Sequence, residues 1–179
     1  HKGNAILGKE IHHLWGKKTL TSSLCGLAFE ISPFSFFQVH KPQAELLYEK
    51  ALAYADLHGG ETVIDAYCGT GTISLCLENA EFYAADAGEF MPKLYQEGLR
   101  PDVIVMDPVR AGCSETVLSA AAGMQPSRIV YVSCNVATFA RDAKILAGLG
   151  YEVKEVTPVD MFPQTMHVET VALLTRKEN

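Results

Sequence analysis

Thr62-Val63-Ile64-Asp65-Ala66-Tyr67-Cys68-Gly69-Thr70-Gly71-Thr72 runs from a short apolar strand straight into a glycine loop, and the reading of this junction decides the fold. A strand that ends in glycines and gives way to a helical pattern opens a strand–turn–helix unit. Such a turn lies at the carboxyl edge of an α/β sheet, where ligands bind, and glycine lets the backbone approach them closely. The spacing is not the dinucleotide pattern GxGxxG, because Ser74 stands where the third glycine would be. A plain structural turn is the competing reading of the same residues.

Working outward from the junction, strands and helices alternate. Val103-Ile104-Val105-Met106 and Ile129-Val130-Tyr131-Val132 are β-branched strands, the first ending at Asp107-Pro108, and Phe82-Tyr83-Ala84 is a further candidate. Ser114 caps a helix reaching residue 122, with Glu115 in its first turn. A second helix, over residues 137–149, stops at Gly150. Two strands, over residues 151–159 and 168–175, close the chain. Upstream, Pro42 marks a helix start, and residues 43–57 put Ala44, Leu47, Ala51 and Tyr54 on one face before His58-Gly59-Gly60. This alternation predicts an α/β domain over residues 34–179, with a mostly parallel sheet. Residues 17–21 and 27–31 read as short strands between polar turns, so residues 1–33 are expected to be the end of an upstream β-rich segment.

One stretch resists this scheme. Ten residues separate Gly71 from Phe82, whereas a parallel crossover takes about a dozen or more, usually with a whole helix. A loop, a helix and a strand are therefore expected to be missing from the chain after Leu77.

Composition narrows the class. The chain has 179 residues, 48% hydrophobic and 20% charged, which fits one globular domain with a real core and a short appendage. With His1 in place of a Met, further residues are expected upstream. No apolar run approaches the roughly 18 residues that cross a bilayer, and no signal peptide is visible, so a cytoplasmic protein without a membrane partner is expected. Five cysteines stand at positions 25, 68, 76, 113 and 134. An odd count without a CxxC pair speaks against a disulfide framework or a cysteine-rich metal site, and no metal is expected. A net charge of −6 argues weakly against nucleic acid. Residues 1–50 nevertheless carry six Lys/Arg against four Asp/Glu, and the remainder nine against seventeen, so phosphate contacts would fall to the N-terminal part or to upstream domains.

Four more constellations carry chemistry. Asp107-Pro108-Val109-Arg110 ends a strand with a carboxylate beside a rigid Pro; it aims acceptor oxygens into a cleft or caps a helix. Ser133-Cys134-Asn135 sets a thiol at the carboxyl end of the next strand, on the same rim as the glycine loop. A thiol with a pKa of about 8.5 is only slightly ionised at neutral pH, and taken alone Cys134 reads better as a core cysteine. In Phe162-Pro163-Gln164-Thr165-Met166-His167-Val168-Glu169 a carboxylate opens the last strand close to a His, as a general base or as a solvated edge residue. Phe36-Phe37-Gln38-Val39 sets an aromatic pair and an amide before the first helix, and its rings read as core.

Together and in this order, these residues resemble the RNA uracil-5-methyltransferase family, over about residues 32–176 and more faintly over 4–31. D-A-Y-C-G-T-G-T resembles the D-x-x-x-G-x-G loop of S-adenosylmethionine-dependent methyltransferases, and F-F-Q-V, D-P-V-R, S-C-N and F-P-x-T-x-H-V-E make the match specific. Residues 54–77 and 158–174 are most similar to the bacterial 23S ribosomal RNA enzymes of the family. The resemblance implies a Rossmann-like methyltransferase sheet with helices on both faces, preceded by a short β-rich remnant of an upstream domain. It implies methylation of C5 of a uridine in RNA, ribosomal RNA before transfer RNA, with S-adenosylmethionine as methyl donor and RNA as partner. Cys134 would be the nucleophile that adds to C6 and Glu169 the base that takes the C5 proton. Gln38, Tyr67, Gly69, Asp86 and Asp107 would bind S-adenosylmethionine. Many relatives also carry an N-terminal RNA-binding β-barrel and a four-cysteine iron–sulfur (4Fe–4S) site, so such a cluster would belong only to upstream residues.

The chain departs from the pattern at three places. Val109 replaces the second Pro of D-P-P-R, Val136 replaces the Pro of S-C-N-P, and no acidic residue for the cofactor ribose is visible, because the expected gap falls there. Two other classes compete: a methyltransferase for base amino groups, which would leave Cys134 and Glu169 idle, and a non-catalytic RNA-binding module on the same fold.

Overall fold

The computed structural model describes residues 10–68 and 85–177. The strand candidate at Phe82, the expected crossover after Leu77 and Gly69 lie outside the described residues.

The chain enters through a hairpin of β1 (Leu20–Leu24) and β2 (Leu27–Ile31), in which Leu24 pairs with Leu27. The two residues between them, Cys25 and Gly26, have φ of 49° and 77°. Positive φ at both positions makes a type I′ turn, whose twist matches that of the strands. β1 starts three residues later than the pattern of Lys17–Thr21 predicts, while β2 has the expected bounds.

Helix α1 (Lys41–Ala55) carries Pro42 in its first turn and ends at Asp56, which adopts the left-handed conformation and donates its N–H to the Leu52 carbonyl. The anticipated face is buried, and Tyr48 and Ala55 join it. There follow β3 (Val63–Asp65), α2 (Ala87–Gln96), β4 (Val103–Met106), α3 (Glu115–Gly123), β5 (Arg128–Ser133), α4 (Val136–Gly148), β6 (Tyr151–Val159) and β7 (Glu169–Arg176). Helix α2 was not legible in the sequence. Asp86 caps it by accepting from the Gly88 N–H at 2.8 Å, but Pro92 sits inside it, and an interior Pro reads as a break.

The five-stranded sheet has the order β3-β4-β5-β7-β6. β3, β4 and β5 are parallel neighbours, and β7 pairs antiparallel with both β5 and β6. Among the described residues, four strands therefore point one way and β7 alone is reversed, which keeps the sheet mostly parallel in direction.

Both faces are covered, as near-continuous apolar strands require. Val103, Val105, Val130, Val132 and Val171 pack with Ala44, Leu47 and Ala51 of α1, and Leu24 and Phe29 of the hairpin join the same cluster. On the opposite face Ile104, Met106, Ile129, Tyr131 and Leu174 pack with Val117 and Leu118 of α3 and Phe139 and Leu146 of α4. Each such aliphatic or aromatic side chain removed from water contributes about 1.5–3 kcal/mol, so this two-sided burial is what fixes the sheet. No helix among the described residues is long and apolar enough to cross a membrane.

Candidate active site

Sheet register decides which side chains meet. Asp65 on β3 pairs with Val105 on β4, and the Ala66 N–H donates to the Val105 carbonyl at 2.9 Å. The chain thus leaves β3 with Tyr67 and Cys68 beside the end of β4, where Asp107 emerges. Met106 pairs with Tyr131 in turn, so β5 carries Ser133 and Cys134 onto the same rim.

The reversed strand completes the group. Ser133 pairs with Thr170, whose Oγ1 donates to the Ser133 carbonyl at 3.2 Å, so Glu169, the first residue of β7, stands next to Cys134. The nucleophile candidate, just past the end of β5, and the base candidate, at the start of β7, are separated by 34 intervening residues in sequence but sit at neighbouring ends of strands that run about 5 Å apart.

The surroundings shift the titration of these groups. Burial, then the charges of Glu169 and Asp65, raise the Asp107 carboxyl to about 7. Burial raises Glu169 to about 7 as well. The Cys134 thiol is pushed up by burial and by Glu169, with the Arg110 charge working the other way. Two carboxyls raised to about 7 beside a thiol pushed further from ionisation, all at one end of the sheet, single out this rim as the candidate site.

Tyr67 is half-buried, and its hydroxyl is pushed up by burial first, then by a hydrogen bond with Cys113 and by the charges of Cys113 and Asp86. That coupling puts the exposed Asp86, at the start of α2, near Tyr67. Gln38 is 8% exposed, in the segment ahead of α1. Gly69 lies outside the described residues.

Short-range hydrogen bonds hold Cys134 in place. The Asn135 N–H donates to Ser133 Oγ at 3.1 Å, and that hydroxyl donates to the Asn135 carbonyl at 3.0 Å. Asn135 caps α4 by accepting from the Ala137 N–H at 3.1 Å. The helix therefore starts at Val136 without the Pro of the family pattern, because the preceding side chain supplies the start signal.

The loop between β4 and α3, which carries Asp107 and Arg110, is anchored from beneath by a residue the sequence reading missed. Asp142 of α4 is fully buried. It accepts from the Cys113 N–H at 2.8 Å, from the Tyr131 hydroxyl at 2.5 Å and from Arg141 Nε at 2.8 Å. Arg141 in turn donates to the carbonyls of Ala111 and Cys113, at 3.0 and 3.1 Å. Each group in this network has partners, which is what makes a buried carboxylate tolerable. At its upper end the loop meets the Cys134 segment: the Arg110 carbonyl accepts from Thr138 Oγ1 at 3.3 Å and from Asn135 Nδ2 at 3.4 Å.

A pocket of about 310 Å³ opens beside Cys134, lined by Arg110, Asn135, Met166, His167 and Val168 among others. A larger cavity, about 610 Å³, lies between α3 and α4 and is lined by none of the candidate catalytic or cofactor-binding residues. Chemistry favours the smaller one. It joins a thiol, a permanent cation and a His, with a buried carboxylate on the neighbouring strand.

Comparison with known proteins bears on family and fold. Residues 95–177 match the family model described as tRNA (uracil-5-)-methyltransferase. Proteins named as RNA methyltransferases from Clostridium tetani and Oceanobacillus iheyensis are 44% and 46% identical to 97% of the chain. The chain spans 44% of the length of each. Both alignments run over 203 positions, more than the 179 residues of the chain, so these relatives carry residues with no counterpart in it. Among solved structures, the Pyrococcus abyssi tRNA (uracil-54, C5)-methyltransferase in complex with S-adenosyl-L-homocysteine superposes with a TM-score of 0.74 at 32% identity, over 98% of this chain and 48% of that one. A methyltransferase from Agrobacterium tumefaciens shares the fold, with a TM-score of 0.63 at 14% identity, over 94% and 72%.

Proposed function

We propose that this chain, by its similarity to the RNA uracil-5-methyltransferase family, transfers a methyl group from S-adenosylmethionine to C5 of a uridine in RNA, with Cys134 as nucleophile and Glu169 as base. The observation that carries this reading is the β5–β7 register, which sets the two residues side by side.

C5 of uracil is too weak a nucleophile to take a methyl group unaided. Addition of the Cys134 thiolate to C6 pushes the C5–C6 electrons toward O4 and makes C5 nucleophilic. After C5 is methylated it still carries its hydrogen. Glu169 removes that proton, the C5–C6 double bond re-forms and Cys134 leaves C6 as the thiolate. Reaching the pocket requires the base to leave its stack, which favours a loop or an unpaired stretch of RNA.

The rim suits S-adenosylmethionine. Asp65 and Asp107 offer carboxylates at the strand ends, and Tyr67 offers a half-buried ring beside Asp86, a set fitted to a cationic ligand with polar arms. Bound there, S-adenosylmethionine supplies an electrophilic methyl group. Tyr67, Gly69, Asp86 and Asp107, with Gln38 from the segment before α1, are the residues assigned to hold it.

We read the RNA as 23S ribosomal RNA, on the likeness of residues 54–77 and 158–174 to the ribosomal enzymes. Transfer RNA is the second reading, supported by the names of the matching family model and of the Pyrococcus abyssi enzyme. Mapping 5-methyluridine in both RNAs after loss of the gene separates the two.

The mechanism is tested with RNA containing 5-fluorouracil, whose C5 substituent no base can remove. With S-adenosylmethionine the wild type should form a protein–RNA adduct that survives denaturation, and Cys134→Ala should form none. A wild type that traps no such RNA would overturn the assignment.

A further inference from the structure

The loop after β4 and the turn before β7 meet through two side chains. Arg110 Nη2 lies 2.8 Å from His167 Nδ1 and 3.2 Å from Nε2. Arginine has donors and no acceptor, so where the two hydrogen-bond it is the imidazole nitrogen that accepts. The backbone of Arg110 is already fixed on its other side by Asn135 and Thr138. Its side chain is exposed and has four rotatable bonds, so without a partner the guanidinium would sweep a wide arc. His167 removes that freedom at the wall of the pocket shared with Cys134.

Resting on the function proposed above, we propose that His167 is a positioning residue: by accepting from Arg110 it holds the guanidinium at the mouth of the Cys134 pocket, where the target base must enter. A cation fixed there favours the thiolate over the thiol, and it faces the negative charge that reaches the uracil oxygen once sulfur has added to C6. The gain comes from holding the charge in place beforehand, since a guanidinium that must first be immobilised stabilises less. His167 touches neither the reacting atoms nor the methyl donor in this account. It acts through Arg110.

The test measures adduct formation with 5-fluorouracil RNA, S-adenosylmethionine affinity and thermal midpoint in the full chain. Variants are His167→Ala, His167→Gln, Arg110→Ala and the double Ala variant. His167→Ala should slow adduct formation roughly 10- to 100-fold, with methyl-donor affinity and midpoint held. His167→Gln keeps a neutral acceptor and should recover most of the wild-type rate. Arg110→Ala should add little to the loss already caused by His167→Ala, because both variants remove one interaction. Unchanged trapping in His167→Ala, failure of Gln to rescue, or additive losses in the double variant would each overturn this role alone. A wild type that traps nothing overturns both this role and the function on which it rests.

Discussion

As the proposed base, Glu169 would act only as a carboxylate, and burial raises its pKa to about 7. Turnover should therefore fall as pH drops through 7, with adduct formation outlasting product release, as measured by methyl transfer and trapping in parallel. Glu169→Gln removes the base while sparing the thiol. With unmodified RNA it should leave the methylated adduct attached to Cys134, visible on a denaturing gel where the wild type shows none. Asp107 offers a separate stability test. Its folded pKa is raised above the unfolded one, so the folded state binds the proton more tightly. Stability from this group is full below the ordinary carboxylate range and is lost as pH rises through about 7. Asp107→Asn should accordingly raise the thermal midpoint at pH 8 and leave it nearly unchanged at pH 3. At this scale the sequence was legible in position: Cys134 follows the end of a strand and Glu169 opens one, as the short motifs around them suggest. It was silent on Asp142 and on the Arg110–His167 contact, because their partners lie 29 and 57 positions away.

Among the elements, the loop over residues 107–114 depends most on its support from α4. Gly112 has φ of +78°, and a Cβ there would stand 2.6 Å from Asp142 Oδ2 and 2.7 Å from Arg141 Nη2. Gly112→Ala is expected to cost about 1–3 kcal/mol in chemical unfolding, from the strained backbone and the displaced network together. Asp142→Ala strands the Tyr131 hydroxyl, the Cys113 N–H and the Arg141 guanidinium and should cost about 3–5 kcal/mol. Removing the α4 cap with Asn135→Ala should cost about 1 kcal/mol. The strands were readable because β4 and β5 are apolar, β-branched and bounded by Asp107 and Asn135. Helix α2 was not, since Pro92 sits in its interior. Nor does side-chain pattern carry strand direction, so the reversal of β7 had no signal in the sequence.

On the scale of the whole molecule, the hairpin shares a core with the sheet. Leu24 is 1% exposed and belongs to the cluster that joins α1 to Val105, Val130 and Val171. Leu24→Ala should lower stability by about 2–4 kcal/mol and shift a single unfolding transition as a unit, followed by circular dichroism in urea. A change confined to a separate, low-stability phase would show that the hairpin folds apart. The reversal of β7 has a consequence of another kind. Because its first residue, not its last, reaches the rim, the span between Cys134 and Glu169 is set by the backbone ladder and not by the turn at 160–168. Lengthening that turn would leave the two side chains at constant reach, so under the proposed mechanism the surface beside the pocket can change without retuning the chemistry.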